Sequence, residues 1–167
     1  MGYKNFNRQC GLRIYKQKAK QETISTLANN NLTPRPGKDE MNKGKRASAE
    51  KRKVTVTAFI IETGHEPDGD YHLVCEDLNN KKTLIAEIPD PNYKKLKGFP
   101  GLKADYSKAR KEIDNKIGVP PHQVTSLVKK HKVRITGVVF FDKMSHGNGH
   151  AENGVEIHPV LSITVLD

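Results

Sequence analysis

The sequence has no apolar run approaching the roughly 20 residues that a membrane-spanning helix needs, so no span is expected. Its only cysteines are Cys10 and Cys75, too few for a disulfide scaffold or a thiolate zinc cluster. No phosphate-cradling glycine motif occurs, and no Gly-x-Ser-x-Gly. An apolar segment of the kind that begins a secretory signal is absent, and Cys10 lacks the apolar run of a lipoprotein signal. No acidic residue precedes Glu22, but Arg is too scarce there for a transit peptide. These absences give the expectation of a cytoplasmic protein without a membrane span.

What is present is an uneven charge. The 167 residues carry a net charge of +10, with 35% hydrophobic residues. Residues 1–53 hold 14 Lys and Arg against 4 Asp and Glu, whereas residues 54–167 hold 15 of each. A uniformly basic nucleic-acid-binding domain is thereby excluded. Residues 1–52 read as a basic, largely disordered extension, because Asn29–Glu50 is poor in apolar side chains and rich in Pro, Gly, Asn and Lys. Only a loose helix around Ile14–Leu27 suggests itself there. Residues 53–167 read as one domain.

From Lys53 the texture changes. Val54–Ile61 is β-branched and alternating, which predicts a strand. Gly64–Gly69 is a turn-rich loop, followed by predicted strands over Asp70–Asp77 and Thr83–Ile88 with a tight turn at Asn79–Lys81. Leu102, Tyr106, Ala109, Ile113 and Ile117 then form the stripe of an amphipathic helix, which Gly118 and Pro120 end. Two further strands are predicted over Lys132–Phe141 and Val155–Leu166. Gly137 fits a bend or bulge, and Pro159 an edge or bulge. Five strands with one helix after the third is the order of the OB-fold, a small Greek-key barrel. An open α+β sheet is the alternative.

Alternation also places the polar residues. His72, Val74 and Glu76 share one strand face, and Tyr71, Leu73 and Cys75 share the other, which reads as core. Asp68 and Asp70 at the loop junction cap the strand through an Asp-Gly turn, or join His72 as a cluster able to bind a divalent cation. Glu156 and His158 share a face of the last strand, as ligands or as a polar pair that fixes strand pairing. Glu87 lies in an apolar strand just before a proline and would complete a site if it met His72 or His158. The loop around His146 is glycine-rich and reads as flexible; it and the loop His65–Gly69 lie where an OB-fold binds its ligand. Lys43, Lys45, Arg46, Lys51, Arg52 and Lys53 cluster beside the domain, either as a solvated linker or as a polyanion-binding tail.

Several of these pieces together resemble a family of small bacterial proteins, mostly without an assigned activity and often carrying a secretion signal. The pieces are Asp68-Gly-Asp70-Tyr-His72-Leu-Val, Ile85-Ala-Glu87-Ile-Pro-Asp-Pro, Ala109-Arg110, Val133-Arg-Ile-Thr-Gly137-Val-Val-Phe-Phe-Asp142, His146-Gly and Asn153-Gly-Val-Glu156-Ile-His158-Pro-Val. The resemblance spans Lys53 to Ile163 and implies an OB-like fold, without implying an activity. The chain departs from the pattern in its long basic N-terminal segment. It departs again after His146-Gly, where Asn-Gly-His stands in place of the more usual Gln-Thr-Gly.

The expectation is therefore a non-enzymatic OB-like binding module without a cofactor. Asp68, Asp70, His72, Glu87, His146, Glu156 and His158 are its candidate ligand residues. Nucleic acid or another polyanion, aided by the basic tail, is one candidate partner, and a protein another. A metal-dependent hydrolase or nuclease is the alternative, with a divalent metal on Asp70, His72, Glu156 and His158. A structural component of a larger complex is a third reading.

Overall fold

Val54, Val56, Ala58 and Ile60 occupy alternate positions on one strand and are fully buried, so their pleat faces the core. In the computed structural model, which describes residues 13–39, 46–142 and 149–167, that strand anchors one six-stranded mixed sheet. The described strands are β1 (Lys20–Gln21), β2 (Lys53–His65), β3 (Tyr71–Asp77), β4 (Thr83–Ile88), β5 (Thr125–Phe141) and β6 (Val155–Val165). Helices α1 (Ile24–Leu27) and α2 (Pro100–Lys116) accompany them. The chain is thus mostly β, with few helices.

The strands pair in the order β1-β2-β3-β4-β6-β5, and β2 also pairs with β5. All of these ladders are antiparallel except β1 with β2 and β4 with β6. β2 continues past its predicted end because a bulge between Ile60 and Glu62 bends it and lets Glu62–His65 keep pairing with β3. β5 begins seven residues before the predicted Lys132. Its early part pairs with Glu62 and Thr63, beyond the same bulge. Gly137 does lie at a bulge opposite β6, and a side chain there would press on Pro159 O at 2.7 Å. Pro159 follows the same irregularity, and its strand is paired on both sides rather than at an edge.

α2 has Pro100 in its first turn, where the missing N–H costs nothing. It buries Leu102, Tyr106, Ala109 and Ile113, four of the five residues of the predicted stripe, has half-buried Ile117 as its C-cap, and packs mainly on β6. Among the described residues no helix is long and apolar enough to cross a membrane.

The expectation of a disordered extension is corrected for its described part. Residues 13–16 form a helical turn, β1 adds alongside the start of β2, and Thr23 Oγ1 caps α1 by accepting from Thr26 N at 3.0 Å. The single helix expected around Ile14–Leu27 is therefore broken into a turn, a strand and a helix. Ile14, Ile24, Leu27 and Ala28 are buried in the same core as the sheet, although their polar flanks hid them. Glu50 is also buried. Its carboxylate accepts from Ala47 N at 2.6 Å and from Phe141 N at 3.1 Å. These bonds tie the 3-10 turn Ser48–Glu50 to the end of β5.

Candidate functional site

The outward face of β3 and β4 is not solvated in the way alternation predicts. Val74 and Ile85 point away from the main core, yet are 1% and 0% exposed. Gly149 lies over them with φ +93°, and a side chain there would come within 2.6 Å of Val74 Cγ1 and 3.2 Å of Ile85 Cδ1. Glycine is needed for both the close approach and the left-handed backbone. Gly149 therefore roofs this face, with His150 beside His72.

Beneath that roof the strand register gathers polar side chains. His72 stands opposite Glu87, Ile85 beside Glu156, and Glu156 opposite Phe140. Because side chains repeat every two residues, His158 falls next to Glu87. His158 Nδ1 lies 3.0 Å from Glu87 Oε2, and its Nε2 lies 3.5 Å from Asp70 Oδ2. His72 Nδ1 lies 3.4 Å from Glu87 Oε1 and 3.3 Å from Glu66 Oε1. His150 Nδ1 stands 3.6 Å from Glu156 Oε1. The Phe140 ring meets His158 edge-on at 5.5 Å.

Asp70 is the unusual member. It is 2% exposed, and its Oδ1 accepts from Asp90 N at 2.9 Å. Oδ2 is the one buried side-chain polar atom without a hydrogen bond among the described residues. Burial raises its carboxyl to about 6, against the lowering effect of His158. Burial also pushes Glu87 up, but the hydrogen bonds and charges of His158 and His72 more than offset this, and its carboxyl ends well below the usual range. For His72 and His158 burial favours the neutral ring, yet Glu87 raises both above the ordinary imidazole value. Glu156 is raised, chiefly by burial.

The structure therefore brings together Asp70, His72, Glu87, Glu156 and His158 from three strands and a loop. Asp68 is exposed and serves the turn, where its Oδ1 accepts from Asp70 N at 3.3 Å. His146, Lys43 and Lys45 lie outside the described residues. The described basic residues are drawn into intrachain bonds. Arg46 donates to Val139 O and His158 O, Arg52 Nε to Ala49 O, and Lys53 Nζ to Tyr15 O. Lys51 is exposed.

Three further residues shape the site. Glu66 and His150 join the cluster from the two loops. Arg110 on α2 donates to the carbonyls of Gly69, Ile88 and Pro89 and stacks on the Tyr71 ring at 4.1 Å. It is the only Arg in a helix whose other cations are Lys, which was a usable signal. Cys75 is buried, and burial pushes its thiol up to about 12, so it offers no nucleophile. No protein-family model matches the chain, and no curated protein matches its sequence.

Proposed function

We propose that the chain is an OB-type binding module whose ligand site is the histidine–carboxylate cluster on the outer face of β3, β4 and β6. The series β2–β3–β4–β6–β5, returning to β2, supports a closed five-stranded barrel. The parallel joint between β4 and β6, and a helix between β4 and β5, support the OB type in particular. In that fold the second and third barrel strands, here β3 and β4, carry the ligand between the first and the last strand-connecting loops. The cluster occupies this place, and the resemblance over residues 53–163 points the same way.

One observation carries the reading: Asp70 Oδ2 is buried without a hydrogen bond, facing His158. A network kept only for stability would satisfy that atom, because leaving it so costs about 1–3 kcal/mol. Side chains that lower stability but persist belong to sites that bind something. Carboxylates outnumber imidazoles in the cluster, so its ligand is a cation or a hydrogen-bond donor rather than a phosphate. A polyanion such as nucleic acid would instead engage the basic extension, through Lys51 and its neighbours.

The test is the melting temperature of metal-free Asp70→Asn at pH 7.5. Replacing the buried charge by an amide, which can donate toward His158, is expected to stabilise the chain by about 1 kcal/mol. A destabilised variant would show that the cluster serves the fold and would remove this reading.

A further inference from the structure

We infer that Asp70 and His158 ligate one divalent first-row transition-metal ion, with Glu87 orienting the imidazole. The inference rests on the cluster being a ligand site. One donor atom from each of the three residues can be chosen so that all lie within 4.8 Å of one another. Donors around a tetrahedral zinc ion at ~2.0 Å stand about 3.3 Å apart. Asp70 Oδ2 and His158 Nε2 are 3.5 Å apart, close to that spacing.

Proton bookkeeping supports a cation between them. His158 Nδ1 faces Glu87 Oε2 at 3.0 Å, the spacing of a ring N–H that donates to a carboxylate. In the neutral ring Nε2 is then a bare lone pair, and it looks at a carboxylate oxygen that no donor reaches. In the protonated ring an Nε2–H would face that oxygen at 3.5 Å, too long for a good hydrogen bond, and a metal would displace its proton. An O–H from a protonated Asp70 would have to reach 3.5 Å, too long for a good hydrogen bond. A metal on Nε2 and Oδ2 satisfies both atoms.

Glu87, bound to Nδ1, is then not a ligand of the ion but the carboxylate that orients the metal-bound imidazole from behind. His72 holds the other oxygen of Glu87, and Glu66 holds His72. An imidazole with a carboxylate suits zinc or manganese better than magnesium or calcium, which take oxygen donors and water. Two protein donors leave the remaining coordination positions to water or a small ligand.

The experiment uses the full chain, stripped with a chelator and dialysed. Isothermal titration with Zn2+ and with Mn2+ is expected to give one site per chain, with Mg2+ showing none under the same conditions. Asp70→Asn and Glu87→Gln are each expected to weaken Zn2+ binding at least tenfold. Co2+ added to the wild type is expected to give visible d–d absorption that Zn2+ displaces, a readout that needs no variant. The inference is overturned if the folded wild type takes up neither Zn2+ nor Mn2+, or if Asp70→Asn binds Zn2+ as tightly as the parent. Its failure is separable from failure of the ligand-site reading. A chain without metal uptake in which Asp70→Asn still melts higher keeps the ligand site and loses the metal. A metal-free Asp70→Asn that melts lower removes both.

Discussion

At the scale of single residues, Asp77 shows how one carboxylate fixes a segment. Its Oδ2 accepts from Ser25 N and Ser25 Oγ, both at 2.9 Å, and its Oδ1 accepts from Asn79 N at 3.0 Å. Burial pushes the carboxyl up, but the Asn79 and Ser25 bonds outweigh it, so the folded value lies below the unfolded one. The stability that Asp77 contributes is then fully present above the unfolded value, about 3.9. It is lost as the pH falls through the lower, folded value. Asp77→Asn is expected to cost about 1–2 kcal/mol at pH 7, where the carboxylate is charged, and markedly less near pH 2. Urea unfolding at both pH values checks this, and an equal cost at both would contradict it. At this scale the sequence was partly legible. His72, Glu87, Glu156 and His158 follow from strand alternation, which is a rule about facing. Asp70 was placed as a turn residue with equal right, because a turn motif and a buried ligand use the same Asp-Gly dipeptide. What separates them is Asp90 N and His158, both distant in sequence.

Among the elements, α2 acts as a clamp as well as a core layer. Its Arg110 guanidinium draws the carbonyl of Gly69 in the β2–β3 loop together with those of Ile88 and Pro89 at the end of β4. A planar fork serves several acceptors at once, and an ammonium does not. Arg110→Lys is expected to lose about 1–3 kcal/mol of stability. It is also expected to speed amide exchange in residues 66–70 while leaving β5 unaffected. Uniform exchange behaviour in wild type and variant would show that the loop is held by other means. The helix itself was readable from its stripe, and so were β2, β3, β4, the later half of β5 and β6. The first half of β5 was not. Residues 125–130 are mostly exposed, so no face alternates, and their pairing depends on a bulge in another strand. α1 was equally hidden, since four residues are too few to display a helical period.

For the molecule as a whole, the described part of the N-terminal segment belongs to the core. Removing residues 1–50 takes away Ile24 and Leu27, both fully buried, and the Glu50 bonds to Phe141. Deleting two core side chains costs roughly 2–5 kcal/mol each. The truncated chain is therefore expected to unfold or to melt far below the parent in a thermal scan, and an unchanged melting temperature would refute this. Polyanion binding is better tested with the extension kept. Changing Lys43, Lys45 and Lys51 to Gln is expected to flatten the salt dependence of single-stranded DNA binding, by about one unit of slope for each phosphate no longer neutralised. An unchanged slope would move the polyanion site elsewhere. Composition alone read this segment as disordered because its apolar residues are few. Composition does not say where they land, and here they land against the sheet.

The bonds that seat this segment reach far along the chain. Asn153 Nδ2 donates to Leu27 O at 2.8 Å and to Thr33 O at 2.9 Å, and Arg35 donates to Asn153 O and Asp142 O. On a ribosome, residues 27–35 are synthesised more than a hundred codons before Asn153. Until then the carbonyls of Leu27 and Thr33 lack their Asn153 donor, and Ile24 and Leu27 lack the sheet they pack on. β2 waits in the same way for β5, its partner across most of its length. A prefix that lacks β6 lacks the strand joining β4 to β5, so the complete core forms only once β6 is made, with the loop-closure entropy of these long-range pairings. The nascent chain exposes its apolar strands throughout that interval, when holdase chaperones have most to bind.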